Sequence, residues 1–177
     1  NEDMQISITR ITISTVGFRP GLKRILEDKE FPRVRLAFSL HAGTDAVRSK
    51  IVPSHHGFSM KDIVAWATKY VEHSGNRRHY LTLEYVMLWG VNDDPSEAMA
   101  LAKLFSPIKH RVKLNLIPWN PTTAPLKASS EDRLNAFQKI TQGAGIPTTI
   151  RYSKGLDIDA ACGQLITSQK TAIGTDY

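Results

Sequence analysis

Hydrophobic and polar residues alternate along five short segments of the chain, and a period of two is typical of β-strands whose faces meet different surroundings. The segments are residues 11–14, within a strand-like run over 6–15, then 34–40, 80–88, 112–117 and 147–152. In the second segment one face carries Val34, Leu36, Phe38 and Leu40, and the other carries Arg35, Ala37, Ser39 and His41. The pattern predicts five strands, each with one apolar face.

Helical periodicity fills the gaps between these segments. The predicted helices begin after Pro20-Gly21, at Ser59 with a capping-box-like Asp62, at Asp94 followed by Pro95, and at Ser129 or Ser130. Strands separated by helices imply parallel crossovers, so the sequence predicts an α/β fold of parallel strands with outer helices. Five strands are too few for a closed eight-stranded barrel. The spacing fits the later part of a (βα) barrel or an open doubly wound sheet.

The second face of the predicted sheet is unusually polar for parallel strands, which are normally apolar on both faces. It carries Thr12, Ser14, Ser39, His41, Thr82, Glu84, Lys113, Asn115 and Arg151. Such a face predicts a wet ligand cavity. The alternative is a solvent-exposed sheet in an antiparallel arrangement, against which the helical connections argue.

Composition narrows the class of protein. The chain has 177 residues, of which 41% are hydrophobic and 23% charged, which predicts one packed domain over residues 1–177. No apolar run reaches the length of a membrane span, and we expect a cytoplasmic protein. The net charge of +6 favours a nucleic-acid partner, although the basic residues are scattered along the chain.

Several residues could carry chemistry at the C-terminal ends of the strands, where parallel α/β proteins bind their ligands. They are Ser14, Ser39, His41 and Asn115. His41 could act as an acid, a base or a hydrogen-bond donor, or it could be purely structural. Trp119, in a proline-rich loop, could stack on a base or anchor the core. His55-His56 shows no metal-ligand spacing.

Cys162 is the single cysteine of the chain, so the sequence can form neither an internal disulfide nor a cysteine-only metal site. Asp157 and Asp159 precede it and would raise the pKa of its thiol, which argues against a simple thiolate nucleophile. On these grounds an inert buried cysteine and a functional one in a loop after the last strand both stay open.

Five segments, in this order, resemble one family: residues 10–17 (RITISTVG), 37–42 (AFSLHA), 83–88 (LEYVML) with 90–93 (GVND), 115–121 (NLIPWNP) and 157–165 (DIDAACGQL). Together they are similar to the second half of the radical SAM adenine methyltransferases of ribosomal RNA, the RlmN/Cfr family. The resemblance covers nearly the whole chain.

The resemblance implies a partial (βα) barrel that binds S-adenosylmethionine on a 4Fe-4S cluster. It further implies that Ser14, Ser39, Leu40, His41 and Asn120 contact S-adenosylmethionine. Cys162, in a tail over residues 153–177, would be the catalytic residue. It is methylated first and then delivers the carbon to carbon 2 of an adenine. The adenine lies in 23S rRNA and, for some members of the family, also in tRNA. An electron donor to the cluster is a further implied partner.

The chain departs from the family pattern because its only cysteine is Cys162, so the CxxxCxxC cluster motif is missing. We therefore interpret it as a truncated form of such an enzyme and expect the isolated chain to be inactive. Two rival hypotheses stay open: a phosphate-handling barrel enzyme that uses Lys113 and Arg151, and a non-catalytic RNA-binding module.

Overall fold

The computed structural model describes residues 6–32, 34–52, 57–73, 81–120 and 125–152. In these ranges the elements are β1 (Thr12–Thr15), α1 (Arg19–Glu27), β2 (Arg35–Ser39), α2 (Asp45–Ile51), α3 (Met60–His73), β3 (Leu81–Met87), α4 (Pro95–Phe105), β4 (Val112–Pro118), α5 (Glu131–Gly143) and β5 (Thr148–Ile150). Short 3-10 turns, Ile8–Arg10 and Ser106–Ile108, precede β1 and follow α4. No helix in the described ranges is long and apolar enough to cross a membrane.

The five strands form one parallel sheet in the order β1-β2-β3-β4-β5. The helices contact one another in the sequence α1–α3–α4–α5, as a single layer against the sheet. This confirms the predicted α/β fold of parallel strands with outer helices, and strands in consecutive order belong to part of a (βα) barrel. β1 lies at one edge of the described sheet, as predicted.

Three details of the prediction were wrong. Helix α1 begins at Arg19 and contains Pro20-Gly21 in its first turn, whereas it was predicted to begin after them. The strand-like run over 6–15 contains the 3-10 turn Ile8–Arg10, and Ile6 and Ile8 are exposed, so their apolar character marks no buried strand. The crossover from β2 to β3 contains α2 as well as the predicted α3. The only buried residue of α2 is Arg48, so the helix has no apolar stripe that periodicity could detect.

The alternation within the strands was predicted correctly. On β3 the side chains of Leu81, Leu83, Tyr85 and Met87 are fully buried, while those between them are half-buried. The buried face packs against the helices; for example, the Trp66 indole N–H on α3 donates to the Leu22 carbonyl of α1 at 2.9 Å. The opposite face, which we call the helix-free face, carries the polar set.

Side-chain caps begin α3, α4 and α5 where the sequence indicated. Ser59 and Asp62 form a reciprocal capping box, in which the Asp62 carboxylate accepts from the Ser59 N–H and the Ser59 hydroxyl accepts from the Asp62 N–H. Asp94 caps α4 with Pro95 at its first position, and Ser130 caps α5. These caps place the ends of the crossovers, and hence the register of the strands that the helices join.

Candidate functional site

Four polar residues form a row across the helix-free face of the sheet. Ser39 on β2 is in register with Glu84 on β3, Glu84 with Asn115 on β4, and Asn115 with Thr149 on β5. Residues in register on neighbouring parallel strands present their side chains to the same face. The row therefore brings together residues that are up to 110 positions apart in the sequence.

Hydrogen bonds connect three members of this row. The Thr149 hydroxyl donates to Asn115 Oδ1 at 2.8 Å, and Asn115 Nδ2 donates to Glu84 Oε1 at 3.0 Å. The second carboxylate oxygen, Glu84 Oε2, is buried without a hydrogen-bond partner among the described residues. A buried carboxylate oxygen without a donor is costly, so this position suits a ligand that carries an ammonium or hydroxyl donor.

His41 lies just past β2, beside this row, in a left-handed backbone conformation with φ of 60°. Its N–H donates to the Glu84 carbonyl at 3.3 Å, and its imidazole Nδ1 accepts from the Val86 N–H at 3.2 Å. Burial, and secondarily the charge of Arg48, lowers the pKa of His41 to about 4. The ring is therefore neutral near pH 7, and because Nδ1 is an acceptor, Nε2 carries the proton and can donate it in a hydrogen bond.

Arg48 is a buried cation that joins the C-terminal ends of β1 and β2. Its guanidinium donates to the Leu40 carbonyl at 2.9 Å and to the Val16 carbonyl at 2.7 Å. It also lies 5.8 Å from the centre of the Phe38 ring. Arg48 thus ties the backbone just past Ser39 to the backbone just past β1, and its positive charge lies near His41. In the sequence it looked like one of many scattered basic residues.

Asn92 holds the loop after β3 against the loop after β2. Its Nδ2 donates to the carbonyls of His41 and Val86 at 2.8 and 2.7 Å, and its Oδ1 accepts from the Leu88 N–H at 2.7 Å. The side chain is completely buried. In the sequence, Asn92 belongs to one of the segments that carry the resemblance, and no role was predicted for it.

Glu97 was missed as well, and it supports the same edge of the sheet. Its carboxylate accepts from the N–H groups of Gly43 and Thr44 at 2.7 and 3.2 Å and from the Thr44 hydroxyl at 2.8 Å. These contacts satisfy donors at the start of α2. In the sequence, the local indication of this arrangement was the run Gly43-Thr44-Asp45 after a strand, which is typical of a helix start.

The structure places the residues predicted to contact a ligand at one edge, on or just past the C-terminal ends of β1, β2 and β4. Ser14 is exposed on β1, and Asn120 is half-buried two residues beyond β4. Leu40 differs from the rest, since its side chain is fully buried and its N–H and carbonyl are bonded to Glu84 and Arg48. Cys162, the tail over 153–177 and His55-His56 lie outside the described residues.

Lys113 and Arg151 lie at different levels of this face. Lys113 is in register with Thr82, near the start of β4, whereas the Arg151 N–H donates to the Leu116 carbonyl and so extends β5 alongside Ile117. Four strand residues separate these levels, or about 13 Å. Within the described ranges no group of three His, Cys, Asp or Glu side chains could hold a metal ion.

Trp119 is half-buried, and its indole nitrogen is buried without a hydrogen-bond partner in the described part of the chain. This burial favours the interpretation of Trp119 as a packing anchor over that of an exposed base-stacking residue.

Comparison with known proteins found no family model that matches the chain. The chain is nevertheless 41% identical over 162 residues, 91% of its length, to the dual-specificity RNA methyltransferase RlmN of Alcanivorax borkumensis. It is 44% identical over 90% of its length to the probable dual-specificity RNA methyltransferase RlmN of Thermotoga petrophila, and 38% identical over 96% of its length to that of Nostoc punctiforme.

Solved structures agree with these relatives. The model superposes on the crystal structure of a radical SAM methyltransferase from Sphaerobacter thermophilus with a TM-score of 0.83 at 41% identity, over 91% of this chain and 46% of that one. A domain of pyruvate-formate lyase-activating enzyme from Bacteroides vulgatus shares the fold, with a TM-score of 0.57 at 16% identity over 79% of this chain and 80% of that one.

The chain spans less than half the length of the curated relatives it matches, namely 41% of the Alcanivorax protein and 45% of the other two. Within that span the likeness extends over nearly all of its residues, in sequence and in fold. Over this span the chain is therefore similar, in sequence and in fold, to part of the RNA methyltransferases named RlmN and to part of a radical SAM methyltransferase.

Proposed function

We propose that this chain forms the part of a radical SAM methyltransferase that holds S-adenosylmethionine and presents it to RNA, and that the complete enzyme methylates carbon 2 of an adenine in 23S rRNA. The dual-specificity name of the relatives favours a second RNA substrate, which we take to be tRNA. We also propose that the enzyme acts in the cytoplasm. Within the structure, the proposal rests on the row of Ser39, Glu84, Asn115 and Thr149 on the helix-free face.

The residues of this row fit S-adenosylmethionine, whose ammonium and ribose hydroxyls are hydrogen-bond donors. Glu84 Oε2 lacks a donor, and the neutral His41 ring offers Nε2–H as a donor to a ligand acceptor. Ser14, Ser39 and Asn120 would supply further polar contacts. Leu40 would act indirectly, because its bonded backbone positions Ser39 and His41. When bound, S-adenosylmethionine supplies the methyl group.

The chain does not fit a 4Fe-4S cluster by itself. Such clusters are held mainly by cysteine thiolates, and this sequence contains one cysteine, Cys162. In our proposal the cluster ligands and the contact with the electron donor are supplied by protein outside these 177 residues. Anaerobic reconstitution of the isolated chain should accordingly leave it without stoichiometric iron and sulfide and without methyl transfer.

Cys162 keeps the role that the family resemblance implies, as the residue that carries the methyl carbon to the adenine. The rival phosphate-handling enzyme, which would use Lys113 and Arg151, needs neither S-adenosylmethionine nor a cluster, so methyl transfer from S-adenosylmethionine separates it from our proposal. The rival RNA-binding module shares the RNA partner with our proposal and differs from it in lacking catalysis, so a measurement of methyl transfer separates the two.

The proposal can be tested in a chimera in which residues 1–177 replace the part of the Alcanivorax RlmN with which they align. After anaerobic reconstitution, methyl transfer from labelled S-adenosylmethionine to 23S rRNA is measured for the chimera and for Glu84→Gln. The Gln side chain puts an amide donor where Oε2 was available as an acceptor, so we expect a KM for S-adenosylmethionine at least about tenfold higher.

Glu72→Gln is the matched control, because Glu72 is exposed on α3 in the helix layer. It should leave the KM unchanged. A folded, iron-loaded chimera that transfers no methyl group to RNA would contradict the proposed function. An unchanged KM in Glu84→Gln would contradict the proposed location of the S-adenosylmethionine site.

A further inference from the structure

Three exposed aromatic residues share one edge of the sheet. Phe18 is 68% exposed, Trp89 56% and Tyr152 59%, and they are the exposed aromatics among the large hydrophobic residues of the described ranges. Each follows the C-terminal end of a strand by two or three residues, after β1, β3 and β5 respectively. Because parallel strands end at a common edge, all three lie on the edge that carries the candidate site.

A cation lies over one of these aromatic rings, since Lys127 Nζ is 5.5 Å from the centre of the Trp89 ring. Phe18 and Tyr152 have basic neighbours in the sequence only, and the guanidinium of Arg19, which follows Phe18, lies over the Phe58 ring and donates to the Gly57 carbonyl. Surfaces that bind single-stranded nucleic acid typically combine aromatic and basic side chains, because the rings stack on bases and the cations neutralise phosphates. The net charge of +6 has the matching sign.

Trp89 is the best supported of the three. The backbone N–H of Trp89 donates to the Lys127 carbonyl at 2.9 Å, and the adjacent pair Leu88 and Ala128 forms an antiparallel bridge. The segment before α5 is thus attached to the end of β3, and it holds the Lys127 ammonium against the ring. A ring fixed in this way loses little conformational freedom when a base stacks on it.

The position of Trp89 relates it to the candidate site. It follows Glu84 by five residues along the same strand and its turn, and Asn92 in that turn bonds the His41 carbonyl. Trp89 and the polar row are consequently parts of one hydrogen-bonded edge of the sheet. A nucleotide strand that delivers a base to the polar row can pass over Trp89.

We propose that Trp89 and Lys127 form a stacking platform for an unpaired base of the RNA substrate, beside the base that is modified, with Lys127 neutralising a phosphate of the same strand. This inference rests on the proposed function, since it takes RNA as the substrate. Trp89 is a positioning residue in this scheme and does not act on the reacting atoms. A protein partner on the same patch is the competing outcome.

The test is binding of a fluorescein-labelled single-stranded 12-nucleotide RNA, about the site size of one such groove, to the 177-residue chain by anisotropy at several salt concentrations. Trp89→Ala should weaken binding about tenfold, whereas Trp89→Phe keeps an aromatic face and should retain most of the affinity. Lys127→Ala should reduce the slope of log affinity against log salt by about 0.7.

Met99→Ala and Lys103→Ala are matched controls, because both residues are exposed on α4, in the helix layer. Both should bind RNA as the parent chain does. In the chimera, Trp89→Ala should raise the KM for RNA and leave the KM for S-adenosylmethionine unchanged, which a general loss of structure would not do.

The outcomes separate the two proposals. If the parent chain binds RNA and Trp89→Ala binds it equally well, the platform is wrong while the proposed function stands. If Trp89→Ala alters only self-association in sedimentation experiments, the patch is a protein interface and the platform is again wrong. If the parent chain binds no RNA and the chimera methylates none, both proposals fail.

Discussion

The imidazole Nδ1 of His41 accepts a hydrogen bond from the backbone N–H of Val86 at 3.2 Å, so a side chain continues the ladder between β2 and β3 beyond the last paired residues. This bond requires the neutral ring, because a protonated imidazole is a donor at both nitrogens. The protonation state of His41 therefore affects both the pairing of β2 with β3 at this end of the sheet and the proposed site.

We expect the stability of the protein to fall between pH 6.5 and pH 4 through His41. Burial and the neighbouring Arg48 lower the pKa of the folded-state ring from 6.5 to about 4, so in this window the unfolded chain binds a proton that the folded chain does not. The linked loss approaches about 3 kcal/mol at the acid end. Urea unfolding at a series of pH values measures it.

His41→Asn is the informative variant for this prediction, since asparagine tolerates the left-handed backbone and has an oxygen acceptor but no titration. The difference between parent and variant in unfolding free energy should shrink as the pH is lowered. His110→Asn, at an exposed position, is the control. A constant difference over the whole pH range would show that His41 does not titrate in this manner.

Gly43→Ala should destabilise the protein by about 3 kcal/mol or more, because a Cβ at this position would lie 2.1 Å from the Glu97 carbonyl oxygen. The clash is with backbone, which cannot rotate away. Gly143→Ala is the matched control: no heavy atom lies within 4 Å of its added Cβ, and alanine favours a helix end. Thermal unfolding of both variants is the measurement, and equal melting temperatures would contradict the close packing of α4 against the start of α2.

Asn92→Ala should lower the unfolding free energy by about 3 kcal/mol or more, since it leaves the Leu88 N–H and the carbonyls of His41 and Val86 without their partner in a buried place. Val91→Ala, one residue earlier and only half-buried, should cost about 1 kcal/mol. Urea titration compares the two. If Asn92→Ala were as mild as Val91→Ala, the loops after β2 and β3 would not depend on this side chain.

Cys162→Ala in the chimera should abolish RNA methylation, since our proposal gives the chain no other residue that can accept the methyl group. Removing one sulfur atom should cost stability by about 1 kcal/mol or slightly more. Labelled methyl transfer and thermal unfolding are measured on the same preparations, with the reconstituted parent chimera as the reference. Substantial methylation by a well-folded variant would overturn the assignment of Cys162.

The sequence by itself determined the class of fold and the two faces of the sheet. Strand alternation depends on neighbouring residues only, because successive side chains point to opposite sides. That is why Glu84 and Asn115 could be assigned to the polar face, and why the caps at Ser59, Asp94 and Ser130 marked helix starts. The resemblance to the RlmN proteins was also evident, since the matching segments can be compared without coordinates.

The tertiary structure alone decided which polar groups meet. The bond between Glu84 and Asn115 spans 31 residues, and that between Thr44 and Glu97 spans 53. Such pairings depend on strand register and helix packing, which leave no periodic trace in a local stretch of sequence. The buried Arg48 was hidden for a related reason, because its partners are backbone carbonyls, which every residue possesses. No role was predicted for Trp89 from the sequence, and its 56% exposure at the end of β3 is visible only in the tertiary structure.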